Sequence, residues 1–192
     1  MKIGLFFGTF NPIHIGHMII GNYMAEYSDL DEVWFVVTPH NPLKKKGTLL
    51  ADLHRYRMVE EATEEFPKLK PSNIEFGLPQ PNYTINTLAY LQEKYPGETF
   101  CLIMGEDNLQ SFHKWKNYEL LLENYNIYVY PRIFEEKKAT FEKYQGKYTF
   151  VDSPIIEISS TFIRNAIKEK KDIRPMLPEK VWKYIDQMNF YK

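Results

Sequence analysis

Short apolar runs alternate with longer amphipathic segments along most of the 192-residue chain. The runs have the length of β-strands, and the segments between them repeat apolar residues at helical spacing. Strands are predicted at residues 2–7, 32–37, 72–77, 99–105 and 125–132. Helices are predicted at residues 15–27, 51–66, 84–95, 159–170 and 178–188, with Asp52 and Thr84 as N-caps of the second and third. Residues 132–150, which begin at the last residue of the fifth predicted strand, show no clear pattern.

The alternation of strands and helices predicts the fold class. Nearly continuous apolar strands are typical of a parallel sheet covered by helices on both faces. We therefore expect an α/β fold, a doubly wound Rossmann-like sheet with a small helical part at the C-terminus. Because no internal repeat, low-complexity tract or linker interrupts the pattern, residues 1–192 are predicted to form one domain. Ligands of such folds bind at the carboxyl ends of the strands, near the point where the strand order reverses.

The amino-acid composition limits the kinds of molecule that the protein is expected to bind. The formal net charge is -1 and 26% of the residues are charged, so bulk electrostatic binding of nucleic acid or an anionic membrane is not expected. Cys101 is the only cysteine, which excludes an internal disulfide and disfavours a thiolate metal site. No apolar run approaches the ~20 residues of a membrane helix. We expect a cytoplasmic protein that acts on small molecules, and the sequence leaves a homo-oligomer open.

The stretch FGTFNPIHIGH, residues 7–17, lies where the first strand meets the first helix. Free N–H groups and the helix dipole favour an anion at such a junction. His14 and His17 are three residues apart and project from one helix face if the helix begins near residue 14. The stretch matches neither the P-loop nor the G-x-G-x-x-G pattern. H-x-x-H without a nearby carboxylate or cysteine is a poor zinc pattern, so we predict that the histidines face phosphate and that no side chain is a metal ligand.

A second stretch, ISSTFIR at residues 158–164, predicts a helix start that carries a cation. Serine and threonine are typical N-caps, and Arg164 follows one turn into the helix. Helix-start N–H groups together with a planar guanidinium suit the outer phosphates of a nucleotide.

Both stretches resemble motifs of the nucleotidylyltransferase superfamily. GTFNPIHIGH resembles its G-x-F-x-P-x-H-x-G-H signature, with Asn11 where aspartate is common, and ISSTFIR resembles its I-S-[SA]-T-x-[IV]-R motif. The resemblance implies that His14 and His17 bind the triphosphate and that His17 stabilises the pentavalent transition state. It implies that the ATP-binding residues are Gly8, Thr9, Phe10, His14, His17, Ser159, Ser160, Thr161 and Arg164.

Two central stretches resemble the bacterial nicotinate-nucleotide adenylyltransferases within this superfamily. PNYTINTL (81–88) and IMGEDNLQSFHKWKNYELLL (103–122) are similar to their P-[SN]-Y-T-x-x-T-L and I-x-G-x-D-x-L-x-x-F-x-x-W segments. The resemblance places Gly105 and Asp107 against the adenosine. It implies that the acceptor-binding residues are Tyr83, Thr84, Trp115, Lys116, Lys44 and Arg55, with Lys45 and Lys46 as weaker alternatives to Lys44.

The implied reaction is transfer of the adenylyl group of ATP to nicotinate mononucleotide, with Mg²⁺ as cofactor. The catalytic residues would be His14, His17, Lys44 and Arg164. Several alternatives stay open: a nicotinamide mononucleotide or phosphopantetheine adenylyltransferase, a non-catalytic nucleotide sensor on the same fold, and a zinc-dependent hydrolase that uses the two histidines.

Overall fold

A computed structural model describes residues 1–39, 49–133 and 148–192. Its strands are β1 (Lys2–Gly8), β2 (Glu32–Val37), β3 (Leu69–Ser72), β4 (Thr99–Gly105), β5 (Ile127–Tyr130) and β6 (Tyr148–Phe150). Its α-helices are α1 (Ile15–Tyr27), α2 (Asp52–Thr63), α3 (Thr84–Lys94), α4 (Glu106–Gln110), α5 (Tyr118–Asn124), α6 (Ser160–Lys168) and α7 (Glu179–Gln187). Short 3₁₀ helices cover Ile74–Gly77, Phe112–Lys114 and Arg174–Met176.

The six strands of the described ranges form one all-parallel sheet in the order β3-β2-β1-β4-β5-β6. β1 lies in the middle, with Leu5 opposite Trp34 of β2 and Leu102 of β4. The strand order reverses between β1 and β4. This confirms the doubly wound fold class and places the expected ligand site at the carboxyl ends of these two strands.

Helices cover both faces of the sheet, and each face has its own apolar core. On one face the core includes Met24 of α1, Met58 of α2 and Val181 of α7. On the other face it includes Leu88 of α3 and Leu121 of α5. Side chains of the strands alternate between the two cores, so the sheet is buried on both sides and its strand sequences are almost uninterruptedly apolar.

The predicted strand at residues 72–77 is wrong. β3 ends at Ser72, and Ile74–Gly77 is a 3₁₀ helix. The apolar residues of that segment alternate as they would in a strand, which caused the error. The true strand contains Pro71, which lacks a donor for the ladder, but β3 lies at the edge of the sheet where proline is tolerated.

Three further features differ from the sequence predictions or were absent from them. Tyr83 and not Thr84 is the N-cap of α3, and Ala51 and not Asp52 precedes α2, since each predicted cap is the first residue of its helix. The short elements α4, α5 and β6 were not predicted. By contrast, the predicted cap of α6 is confirmed, because Ser159 Oγ accepts a hydrogen bond from Phe162 N–H at 3.1 Å. None of the helices in the described ranges has both the length and the apolar character that a membrane span requires.

Candidate active site

The histidine loop connects β1 to α1 in a compact form that depends on Gly8. A Cβ atom at Gly8 would lie only 2.8 Å from the ring of Phe10, so a side chain there would displace that ring. Phe10 is buried and has a φ of 43°, in the left-handed region that larger residues rarely adopt. Gly8 therefore leaves room for the ring of Phe10. That ring packs against the ring of His17, with 5.1 Å between the centroids.

The two histidine rings are stacked, with 3.7 Å between their centroids. The backbone N–H of His14 donates to Nδ1 of His17 at 3.2 Å. Because a backbone N–H can only donate, Nδ1 of His17 must carry a lone pair, and the proton of the neutral ring lies on Nε2. His17 is therefore held as a hydrogen-bond donor through the nitrogen that points away from its own backbone.

His14 is buried, and its Nδ1 has no hydrogen-bond partner among the described residues. Burial, with a smaller contribution from the positive charge of Arg132, lowers the pKa of His14 from 6.5 to about 4. The imidazole is therefore neutral at pH 7. A neutral ring can donate one hydrogen bond to a phosphate oxygen without the cost of burying a charge.

This burial predicts a pH-dependent stability. Between pH 4 and 6.5 the unfolded chain binds a proton at His14 that the folded chain excludes, so the free energy of unfolding falls as the pH falls through this range. We expect His14 to account for a loss of about 2 kcal/mol between pH 7 and pH 5. Urea unfolding of the wild type and His14→Gln at both pH values measures it. An identical pH dependence in the two proteins would contradict a buried neutral His14.

The second motif lies directly on the histidine loop, although the two are about 150 residues apart in sequence. Ser160 Oγ donates to the carbonyl of Pro12 at 2.8 Å, and Arg164 Nη1 donates to the carbonyl of Asn11 at 2.9 Å. Arg164 Nη2 also donates to Thr161 Oγ1 at 3.1 Å. The fold thus joins the start of α6 to the start of α1, and two helix N-termini face the same space.

The space between them is a cavity of about 480 Å³, which we call the nucleotide cavity. It brings together nearly all the residues predicted to bind ATP. Its lining includes Gly8, Thr9, Phe10, His14, His17, Asp107, Ser159, Ser160, Thr161 and Arg164. Gly105 was predicted beside the adenosine, but it lines a second cavity, which is described below. A Cβ atom at Gly105 would collide with Asp107 Oδ1, so a larger residue there would displace the Asp107 side chain.

The sequence predictions assigned no function to Arg132, yet this residue lines the nucleotide cavity. It follows β5 at the carboxyl edge of the sheet, and that position was the available signal. Its Nη1 donates to the carbonyl of Ile156 at 3.1 Å, its backbone N–H donates to Glu106 Oε2, and its Nε lies 3.9 Å from Asp107 Oδ1. Arg132 therefore offers a second guanidinium, beside that of Arg164, for an anionic ligand.

We expect Arg132→Ala to raise the KM for the nucleotide by about ten-fold with a smaller change in kcat, since a charge-assisted hydrogen bond contributes about 1.5–3 kcal/mol. Arg174→Ala is the matched control, because Arg174 is exposed and pairs only with Asp172 among the described residues. Steady-state kinetics with varied nucleotide measures both variants. Equal KM values for the two variants would remove Arg132 from the site.

A second cavity, also of about 480 Å³, lies beside the first at the ends of β1 and β4. We call it the acceptor cavity. It brings together four predicted acceptor residues: Tyr83, Thr84, Trp115 and Lys116. Lys116 Nζ lies 4.5 Å above the ring of Tyr83, and Trp115 Nε1 is buried without a hydrogen-bond partner among the described residues. Gly8 and Thr9 line both cavities, so the two spaces share a wall.

Arg55, another residue predicted to bind the acceptor, lines neither cavity. Arg55 is completely buried, and its guanidinium is used within the protein: it donates to the carbonyls of Thr9, Thr38 and Leu50 and to Asp52. Four of the five N–H groups of Arg55 are thus used within the protein, which argues against its predicted role in acceptor binding. The residue joins the loops that follow β1 and β2. Lys44, with its alternatives Lys45 and Lys46, lies outside the described residues.

The described residues contain no group of three or more His, Cys, Asp or Glu side chains that could hold a metal ion. The nucleotide cavity has one carboxylate in its described lining, Asp107. A divalent cation in this site would therefore be bound mainly by phosphate oxygens and water, the usual arrangement for Mg²⁺ on a nucleotide.

Comparison with known proteins assigns the family. The cytidylyltransferase-like family matches residues 5–166. The chain is 69% identical over 191 residues to a probable nicotinate-nucleotide adenylyltransferase of Christiangramia forsetii, covering 100% of this chain and 98% of that protein. It is 64% identical over 192 residues to a probable nicotinate-nucleotide adenylyltransferase of Flavobacterium johnsoniae, covering 100% of both chains. The fold also matches the structure of Plasmodium falciparum nicotinic acid mononucleotide adenylyltransferase complexed with NaAD, with a TM-score of 0.84, 21% identity and coverage of 99% and 97%. The chain therefore belongs to the cytidylyltransferase-like family and, within it, to the nicotinate-nucleotide adenylyltransferases.

Proposed function

We propose that this protein transfers the adenylyl group of ATP to nicotinate mononucleotide, releasing nicotinate adenine dinucleotide and pyrophosphate. The observation that carries the proposal is the pair of adjoining cavities that share Gly8 and Thr9. One is lined by histidines, arginines and helix starts that suit a triphosphate. The other is lined by Trp115, Tyr83 and the start of α3, which suit a flat anionic ring. Their common wall is where the acceptor phosphate would meet the α-phosphorus.

The reaction requires in-line attack of the acceptor phosphate on the α-phosphorus, and the protein contributes position and charge. His17 donates a hydrogen bond from Nε2 to the α-phosphate as negative charge accumulates there. His14, Arg132 and Arg164 hold the remaining phosphate oxygens. Burial of Cys101 within β4 raises its pKa to about 11, so its thiol stays protonated and does not act as a nucleophile.

We infer that Mg²⁺ accompanies the ATP. It would neutralise charge on the β- and γ-phosphates and on the departing pyrophosphate. Asp107 lies in the nucleotide cavity, where its carboxylate suits the vicinal hydroxyls of the ribose, and its ion pair with Arg132 keeps it near the cavity wall. The basic segment that contains Lys44 is proposed to close on the phosphates, as its sequence indicates.

The decisive experiment supplies ATP and Mg²⁺ with one acceptor at a time: nicotinate mononucleotide, nicotinamide mononucleotide or 4′-phosphopantetheine. We expect the highest kcat/KM for pyrophosphate release with nicotinate mononucleotide, and a dinucleotide product identified by mass spectrometry. ATP binding without pyrophosphate release from any acceptor would support the sensor alternative. Tightly bound zinc on elemental analysis would support the hydrolase.

A further inference from the structure

Glu75 is a buried carboxyl group in the wall of the acceptor cavity. It belongs to the 3₁₀ helix Ile74–Gly77 that follows β3, and it is 1% exposed. Tyr83, Thr84 and Trp115 line the same cavity. Glutamate is rarely buried to this degree unless a cation or a metal accompanies it, so its presence beside a ligand cavity needs an explanation.

The contacts of Glu75 are neutral ones. Thr87 Oγ1 of α3 donates to Oε1 at 2.6 Å, and Asn82 Nδ2 donates to the backbone carbonyl of Glu75 at 3.2 Å. The other carboxyl oxygen, Oε2, is buried with no hydrogen-bond partner among the described residues. No ion pair within the described ranges includes Glu75. Oε1 thus links the 3₁₀ helix to α3, whereas Oε2 accepts no hydrogen bond within the described ranges.

This environment favours the uncharged acid. Burial raises the pKa of Glu75 above its ordinary value, and the hydroxyl groups of Thr87 and Thr38 offset only part of that increase. An ionised Glu75 would place an uncompensated negative charge beside the cavity. The uncharged carboxylic acid of Glu75 can donate a hydrogen bond as well as accept one, and it does not repel an anion.

We propose that Glu75 sets the charge preference of the acceptor cavity: its uncharged carboxyl group admits the nicotinate carboxylate, and its ionised form favours the neutral nicotinamide ring. The inference rests on the proposed function, since it requires the acceptor ring to enter this cavity. Thr87, which bonds Glu75, lies one turn into the helix whose start lines the cavity at Thr84. A charge on Glu75 therefore acts on the same region where the ring carboxylate would be received.

Other groups that can carry charge also face this region. Tyr83, Tyr130, Lys114 and Lys116 line the same cavity. On the other side, the ring of Tyr56 of α2 packs against Phe76 of the 3₁₀ helix at 6.0 Å between centroids. All of these groups remain in a Glu75→Gln variant, which keeps an acceptor for Thr87 and cannot ionise. The difference between the wild type and this variant therefore isolates the charge of Glu75.

The test is the ratio of kcat/KM for nicotinate mononucleotide to that for nicotinamide mononucleotide, measured from near the ordinary glutamate pKa of 4.5 upwards, across the pH range in which the protein stays folded. Both acceptors carry the same phosphate, so its titration cancels in the ratio. As Glu75 ionises, we expect the wild-type ratio to fall about ten-fold, the effect of two unit charges about 12 Å apart at an effective dielectric constant of about 20. The ratio of Glu75→Gln should stay constant, and the exposed control Glu93→Gln should follow the wild type. A constant wild-type ratio, or an equal decline in Glu75→Gln, overturns the inference.

A second measurement needs no acceptor. Because the folded chain keeps a proton on Glu75 that the unfolded chain releases above its ordinary pKa of 4.5, wild-type stability should fall as the pH rises towards the raised pKa. The Tm of Glu75→Gln relative to wild type should therefore increase from pH 5 to pH 8. If it does not, Glu75 is not a buried neutral acid and the inference fails. If it does and the acceptor ratio stays constant, the inference fails while the proposed function stands; if neither acceptor reacts, the proposed function fails.

Discussion

Replacing His17 with alanine is expected to lower kcat/KM for adenylyl transfer by about 10²–10³-fold, the typical cost of one lost transition-state donor. The reason is one hydrogen bond: the His14 N–H donates to Nδ1 of His17, so the proton of the neutral ring lies on Nε2, the atom that we propose donates to the α-phosphate. His17 also stacks on His14 and packs against Phe10, and these contacts hold its ring, and therefore Nε2, in one orientation. The measurement is steady-state pyrophosphate release by the purified variant.

Alanine also removes the acceptor that satisfies the His14 N–H, at a cost of about 1 kcal/mol in stability. His17→Asn separates the two effects, because its amide oxygen can take the place of Nδ1 while nothing replaces Nε2. We expect His17→Asn to regain the Tm lost in His17→Ala and to remain as inactive. Near wild-type turnover in His17→Asn would show that Nε2 has no catalytic role.

Replacing Arg55 with methionine is expected to cost about 3–5 kcal/mol of unfolding free energy, because three backbone carbonyls lose their donor at about 1–3 kcal/mol each. The guanidinium lies 2.6 Å from the Thr9 carbonyl, 3.0 Å from those of Thr38 and Leu50, and 2.5 Å from Asp52 Oδ1. Methionine fills similar volume but leaves these acceptors without the guanidinium donor. Urea unfolding should show the loss, with a Tm lower by roughly 10 °C.

The neighbouring Arg57 provides the control. It is 54% exposed and pairs with Glu60 and Glu61 on the surface of α2, so Arg57→Met should change stability by less than about 1 kcal/mol. If Arg55→Met and Arg57→Met unfold alike, the buried guanidinium does not join the loops. Because Thr9 lines both cavities, Arg55→Met should also weaken substrate binding at temperatures where it remains folded.

The histidine loop and the α6 motif show which features can be predicted from neighbouring residues in the sequence. Glycine, proline and paired histidines between a strand and a helix predict a phosphate loop, because the chemistry and the backbone geometry come from adjacent residues. The same holds for Ser159, whose capping role depends only on the next three residues. The cytoplasmic location, the oligomeric state and the single-domain organisation of residues 1–192 stay predictions.

Residues whose role depends on distant partners were predicted less well. Arg55 resembles a substrate-binding arginine in sequence, but its carbonyl acceptors lie in the loop after β1 and in the connection from β2 to α2, and only the folded chain brings them around it. Arg132 was missed for the opposite reason. Nothing near it in sequence indicates a site, and its position at the cavity depends on the parallel pairing of β5 with β4.

The sequence by itself determined the fold class and the class of acceptor, and it predicted the phosphate loop, because apolar periodicity and contiguous motifs are local properties of the chain. Only the tertiary structure decided that the two motifs share one cavity, that Arg55 donates to backbone carbonyls within the protein, and that Glu75 is buried beside the acceptor cavity with no ion pair in the described ranges. These facts depend on which carbonyl or hydroxyl groups meet each side chain, and on how deeply it is removed from water. Burial and long-range pairing arise only when the strands assemble into the sheet on both sides of β1.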